Sequence, residues 1–333
     1  MRITHELMLK FARDTIARQA RESHNLLAAY LCGSMLQDDF LLGGAGDIDL
    51  VLIHEEPFPV EREMIPLNEE IHLDLAHHYQ RDYRDTRRLR VHPWLGPTLN
   101  ACKALYDPQH FMDFTQASVR GQFDRPDHVA ERARAQADMA RQVWQDLALG
   151  GRAGGPALLT DYLRAVGFAA NAVASLSGPP LVERRFLQQF PARAEAIGRP
   201  GLYQGLLGLL GAQYLEAQVL SEWLPHWQVA YQALPASGVP IHLHPARQNY
   251  YLGAFKQAIQ DEQPQLALWP LLRTWTVLAA LLPGSSPSCQ IWQSAVEFLG
   301  VYGADFNQRL AALDAYLDLV EETLETWARQ NGA

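Results

Sequence analysis

Apolar and polar positions follow two different rhythms along this chain. Up to about residue 124, short strand-like runs mix with helix. Residues 9–20 repeat apolar positions at helical spacing and predict an amphipathic helix. Residues 26–32, Leu-Leu-Ala-Ala-Tyr-Leu-Cys, are apolar throughout, as a strand buried on both faces would be, and Gly33-Ser34 closes the run. Residues 38–46 end in Gly43-Gly44-Ala45-Gly46 and predict a flexible connection. A second strand follows over residues 47–53, stopped by His54-Glu55-Glu56-Pro57, and residues 71–76 alternate with period 2 and predict a third. Leu105-Tyr106-Asp107-Pro108 predicts a short edge strand ending in a turn.

Beyond about residue 127 the rhythm is helical. Residues 129–149, 157–175, 183–196, 202–231, 245–261, 266–282 and 304–329 each predict a helix. Gly and Pro clusters punctuate them, notably Gly150-Gly151 to Gly154-Gly155-Pro156 and residues 283–287. Seven of the eight tryptophans lie in this half, which suits a bundle with a bulky aromatic core. No period of 20–50 residues marks a solenoid. The expectation is an α+β chain: a mixed sheet flanked by helices over residues 1–124, then an all-α bundle over 125–333.

Composition narrows the partners. At 333 residues, 48% apolar and 20% charged, the chain is long enough for about two domains and too apolar for disorder. No apolar run approaches the ~20 residues of a membrane span, and residues 1–6 lack the apolar segment of a secretory signal. Three scattered cysteines, Cys32, Cys102 and Cys289, do not make a disulfide framework, so a cytoplasmic location is expected. The net charge is −9, with −6 from residues 1–124 (13 Lys/Arg, 19 Asp/Glu) and −3 from the rest (15 and 18). Neither half carries the basic surplus that a long nucleic acid demands.

The chemistry-bearing stretch is Gly33-Ser34, twelve further residues, then Asp47-Ile48-Asp49. Residues i and i+2 of a strand project to one face, so Asp47 and Asp49 stand together. Two like charges held that close are costly unless a cation lies between them, and hard carboxylate oxygens suit Mg²⁺. Asp74 sits among apolar neighbours in the third strand, where an unpaired charge is also expensive. Beside these acids, Gly33 lets backbone approach a ligand and Ser34 offers a hydroxyl to phosphate oxygens. Alone, a Gly-Ser is usually a turn and an Asp-x-Asp usually a strand end. The conjunction on three strands is what points to a function.

That conjunction resembles the nucleotidyltransferase superfamily typified by DNA polymerase β, and within it the small aminoglycoside and lincosamide nucleotidyltransferases. The resemblance covers residues 24–122: Gly33-Ser34 is similar to the family's Gly-Ser, Asp47 and Asp49 to its metal-binding pair, Asp74 to its third carboxylate. The turn at residues 105–108 is similar to the segment closing the head in antibiotic-modifying members. After Ser34 the chain reads Met35-Leu36-Gln37-Asp38-Asp39, where many members carry a small or aromatic residue and then an Arg.

The resemblance implies transfer of a nucleoside monophosphate from an NTP to a hydroxyl of a small, aminoglycoside-like acceptor, releasing pyrophosphate. Asp47, Asp49 and Asp74 would bind two Mg²⁺ ions, and Gly33 and Ser34 would hold the triphosphate. Further basic contacts would come from the helical half, with Lys256, near Tyr250 and Tyr251, and Arg164, beside Tyr162, as candidates. A non-catalytic nucleotide sensor or toxin–antitoxin component with the same head is the alternative. His77-His78 and His242-Leu243-His244 lack the third and fourth ligands of a zinc site. Gly43–Gly46 lacks the Gly-Lys-Ser/Thr of a phosphate-binding loop. Glu297, Asp305, Asp314, Asp318 and Glu321 read as solvated helix faces, or else as the lining of a pocket for a polycation.

Overall fold

A computed structural model describes residues 3–150, 154–235 and 237–333. Gly151, part of the glycine cluster singled out above, lies outside the described residues. The chain is α+β and forms two compact units. One contains the residues up to Arg125 together with Pro240–Gly253. The other contains Pro126–Val239 and Ala254–Ala333. The segment Pro240–Gly253, which follows the helical stretch in the chain, therefore packs with the sheet.

The first unit opens with α1 (His5–Glu22), capped by the Thr4 side chain accepting from the Leu7 N–H. The strands are β1 (Leu26–Cys32), β2 (Gly46–His54), β3 (Arg62–Pro66), β4 (Ile71–Tyr79) and, after α2 (Thr86–Val91) and α3 (Leu95–Ala101), β5 (Lys103–Tyr106); α4 (Phe111–Arg120) follows. The sheet order is β3-β4-β2-β1-β5. β2 and β4 pair in parallel, and every other pair is antiparallel.

Period-2 alternation sorts this sheet into two faces. Met8, Ala12 and Ile16 of α1, at i, i+4 and i+8, pack on Ala29, Leu31, Ile48, Leu50, Leu52, Leu73 and Leu75. The opposite face carries Ala28, Tyr30, Val51 and Ile53, covered by Leu89, Leu99, Met112 and Val119 of α2–α4. Asp47 and Asp49, four and two residues before Val51, project to this second face.

β3 has no counterpart in the sequence reading. It is an edge strand in which only Met64 is buried, so it lacks the apolar run that marks a strand. The sequence reading also names no helix over α2–α4; α2 and α3, of six and seven residues, are too short for a clear periodic signal.

The second unit contains α5 (Pro126–Ala148), α6 (Pro156–Ala174), α7 (Phe186–Ala196), α8 (Gly201–Leu209) and α9 (Ala217–Gln232). After α10 (Gln248–Gln260), which begins in the first unit, come α11 (Gln265–Leu281), α12 (Pro287–Phe298) and α13 (Phe306–Asn331). The single helix expected over 202–231 is two. Gly211 takes φ +70 between them, and a Cβ there would lie 2.0 Å from the Leu299 carbonyl oxygen. Three of the late acidic residues are not simply solvated: Asp314, Asp318 and Glu321 converge on Arg141 of α5 at 2.5, 2.7 and 2.8 Å. A guanidinium with five donors can hold all three. No helix among the described residues is long and apolar enough to cross a membrane.

Candidate active site

The parallel pairing of β2 with β4 sets Asp49 directly beside Asp74 and Asp47 beside His72. Cys32 of β1 lies on the other side of Asp49. Asp47 and Asp74 are buried, and Asp49 is half-buried. Neighbouring strands run ~4.8 Å apart, so two ionised carboxylates in register repel by roughly 3 kcal/mol at an effective dielectric of ~20. A sheet does not tolerate that without countercharge.

Two arginines supply it. Arg62 of β3, a diagonal neighbour of Asp74 across the β3–β4 pair, donates from Nε and Nη2 to its two oxygens at 2.5 and 2.7 Å. Arg247, in a 3₁₀ turn (Pro245–Arg247) ahead of α10, places Nη2 3.7 Å from Asp47 and Nη1 3.6 Å from Asp74. Its guanidinium lies 4.7 Å from the centre of the Tyr250 ring and 5.6 Å from that of Tyr251. Those tyrosines follow it by three and four positions, the spacing that sets side chains over one another on a helix.

Three acids against two arginines leave one negative charge uncompensated. It falls on Asp49, whose carboxylate has no ion pair or hydrogen bond among the described residues. Burial, then Asp47 and Asp74, push the Asp49 carboxyl well above the usual carboxylate range, against the pull of Arg247 and Arg62. Burial and Asp49 also push the Cys32 thiol up.

The 3₁₀ turn Gly33–Leu36 packs against this acid. Gly33 has φ +73, and a Cβ on it would lie 1.8 Å from Asp49 Oδ2. The Ser34 hydroxyl oxygen is buried and makes no hydrogen bond. An unpartnered buried hydroxyl is costly and calls for a partner. Ser34 directly follows Gly33, whose own position abuts the one carboxylate without a countercharge.

The structure thus brings together Gly33, Ser34, Asp47, Asp49 and Asp74, all in the first unit. Lys256 stands exposed on α10 in the other unit. Arg164 bonds Asp161 at 2.9 Å, and Tyr162 is core, donating to the Leu209 carbonyl. The cation seated on Tyr250 and Tyr251 is Arg247. Sequence reading missed it and Arg62. For Arg247 the readable signal was its i+3, i+4 spacing to two tyrosines; for Arg62 there was none.

Among the described residues no three His, Cys, Asp or Glu side chains are grouped to hold a metal ion as they stand. Both Asp74 oxygens are held by Arg62. The donors themselves suit a hard divalent cation: carboxylate oxygens on one sheet face, one carboxylate without countercharge. The histidines are otherwise engaged. His77 Nδ1 lies 2.9 Å from His54 Nε2, His78 Nδ1 lies 2.6 Å from the Tyr83 hydroxyl, and His244 Nδ1 accepts from the Ala246 N–H.

The chain matches no family model, and no curated protein matches it.

Proposed function

We propose that this protein is a nucleotidyltransferase, built on a head like that of DNA polymerase β, that moves a nucleoside monophosphate from an NTP to a hydroxyl of a small molecule. One observation carries the reading: Asp49 and Asp74 side by side on parallel strands, with Asp47 on the same face and the turn of Gly33 and the unpartnered Ser34 packed against Asp49. Crowding three carboxylates costs stability, and a site that needs none of them for chemistry has no reason to keep all three.

In this reading the acceptor oxygen attacks the α-phosphorus, the bond from that phosphorus to the β-phosphate oxygen breaks, and pyrophosphate leaves. Asp74 takes the hydroxyl proton. Asp47, Asp49 and Asp74 would hold two Mg²⁺ ions, which when bound would supply the charge that lowers the pKa of the hydroxyl and screens the phosphates. Ser34 and the backbone at Gly33 orient the triphosphate, and Gly33 keeps room for Asp49. The catalytic contribution is placement and charge stabilisation. The acidic balance of both halves favours a small acceptor over a long nucleic acid.

The fork of Arg62 on Asp74 favours a second reading, a nucleotide-binding sensor or toxin–antitoxin component whose third carboxylate is permanently capped. Pyrophosphate release separates the two. The protein is incubated with each NTP, Mg²⁺ and a mixture of aminoglycosides and lincosamides, and pyrophosphate is measured. Transfer predicts release that needs an acceptor, and Asp74→Asn lowers kcat by about 10²-fold or more without loss of NTP affinity. NTP binding without release under any acceptor favours the sensor. An unchanged kcat in Asp74→Asn removes Asp74 from the chemistry.

A further inference from the structure

The two arginines at Asp74 are held in different ways. Arg247 is wedged between Asp47 and Asp74, its side chain only 6% exposed, and it is seated on two aromatic rings. Arg62 reaches in from an edge strand with its side chain 45% exposed, yet it makes the shorter contacts and covers both Asp74 oxygens. Arg62 is the one with an open path to solvent. A guanidinium fork fits a phosphate as well as a carboxylate, and a triphosphate offers it more charge than a single Asp. The loop after Ser34 brings no cation of its own, since it reads Met35-Leu36-Gln37-Asp38-Asp39.

We infer that Arg62 is the polyphosphate ligand of this site and that it guards Asp74 until a nucleotide draws it away. The inference rests on the nucleotidyltransferase reading and deepens it. The fork neutralises a buried carboxylate that stands beside Asp49. An arriving polyphosphate competes for the same donors, Nε and Nη2. Once Arg62 turns to the phosphates, both Asp74 oxygens are released. Arg247 stays behind as the fixed countercharge. Asp74 is therefore exposed to a cation only when a nucleotide is in place, so nucleotide and cation each favour the state in which Arg62 has left. Arg62 acts here as a binding and positioning residue; the chemistry stays with the carboxylates.

The test separates a guard from a plain ion pair by the sign of two effects. Binding of Mn²⁺ alone is measured on the full chain by electron paramagnetic resonance, and binding of ATP alone, with chelator present, by calorimetry. Wild type, Arg62→Ala and Arg62→Lys are compared. A guard predicts that Arg62→Ala tightens Mn²⁺ and weakens metal-free ATP, each by about tenfold, the scale of an ordinary coupling energy. Arg62→Lys, which keeps charge but loses the fork, shifts both in the same directions by less. It also serves if the alanine variant does not fold. Mn²⁺ affinity unchanged in the folded variants overturns the guard, and so does metal-free ATP affinity that ignores Arg62. A wild-type chain that binds no ATP with or without Mn²⁺ overturns the nucleotidyltransferase reading itself. ATP binding indifferent to Arg62 overturns only this inference.

Discussion

The Asp49 carboxylate occupies the space in which residue 33 would carry a side chain, with Oδ2 1.8 Å from where a Cβ on Gly33 would stand. Glycine at 33 answers two demands at once. It permits φ +73, and it leaves the end of β1 open to an acid from β2.

Gly33→Ala is expected to lower stability by about 1–2 kcal/mol from the left-handed backbone alone, and further by displacing Asp49. Because the clash is with one side chain, Asp49→Ala should recover part of the loss. Urea midpoints of both single variants and the double variant check this. Losses that simply add would show that the two residues do not compete for that space.

Asp49→Asn is expected to stabilise the metal-free protein near neutral pH. Asp49's folded carboxyl is raised above its unfolded value. Its ionisation therefore costs stability that is intact below about pH 4, the unfolded carboxylate range, and is lost as pH rises through the raised value. The Asn variant should show a higher Tm than wild type at pH 7 and no advantage at pH 4. A lower Tm at pH 7 would mean that Asp49 is a structural partner of something else.

Arg247→Met is expected to cost about 3–5 kcal/mol, the scale for removing one member of a buried ion cluster, because Asp47 and Asp74 both lose a buried countercharge and Asp74 is left with Arg62. The loss should persist at high salt, since buried pairs are poorly screened. Denaturant titrations at two salt concentrations decide it; a loss under about 1 kcal/mol would make Arg247 an ordinary surface cation.

On the α1 side of the sheet, His54 and His77 stack on Phe58 at 4.5 and 4.1 Å, with Glu63 Oε1 3.3 Å from His77 Nε2. Burial first, then His77, pulls the His54 imidazole down to about 4. A lowered imidazole leaves stability intact above about pH 6.5 and drains it as pH falls from there towards 4. His54→Phe should remove up to about 1.4 kcal/mol per pH unit of that acid-side slope, the value for one proton. Tm measured from pH 7 to 4 is the check, and parallel curves for the two proteins would rule His54 out.

Alternation along residues 47–53 and 71–76 determined, from sequence alone, that Asp47 and Asp49 share a face and that Asp74 lies among buried neighbours. A strand's side-chain period is a local property, set by backbone geometry over a few residues. The α+β division was legible for the same reason, since helical and strand periods are read over short windows. Tertiary structure decided the rest. That β4 lies beside β2, in parallel and in the register that sets Asp49 against Asp74, depends on which faces α1 and α2–α4 bury. Arg62 came from an edge strand with one buried residue, too polar to announce itself. Arg247 came from beyond five helices of the second unit, in a segment that packs with the sheet. Ion pairing depends on distance in space, and the chain carries no local pattern that records which distant arginine will meet a given acid.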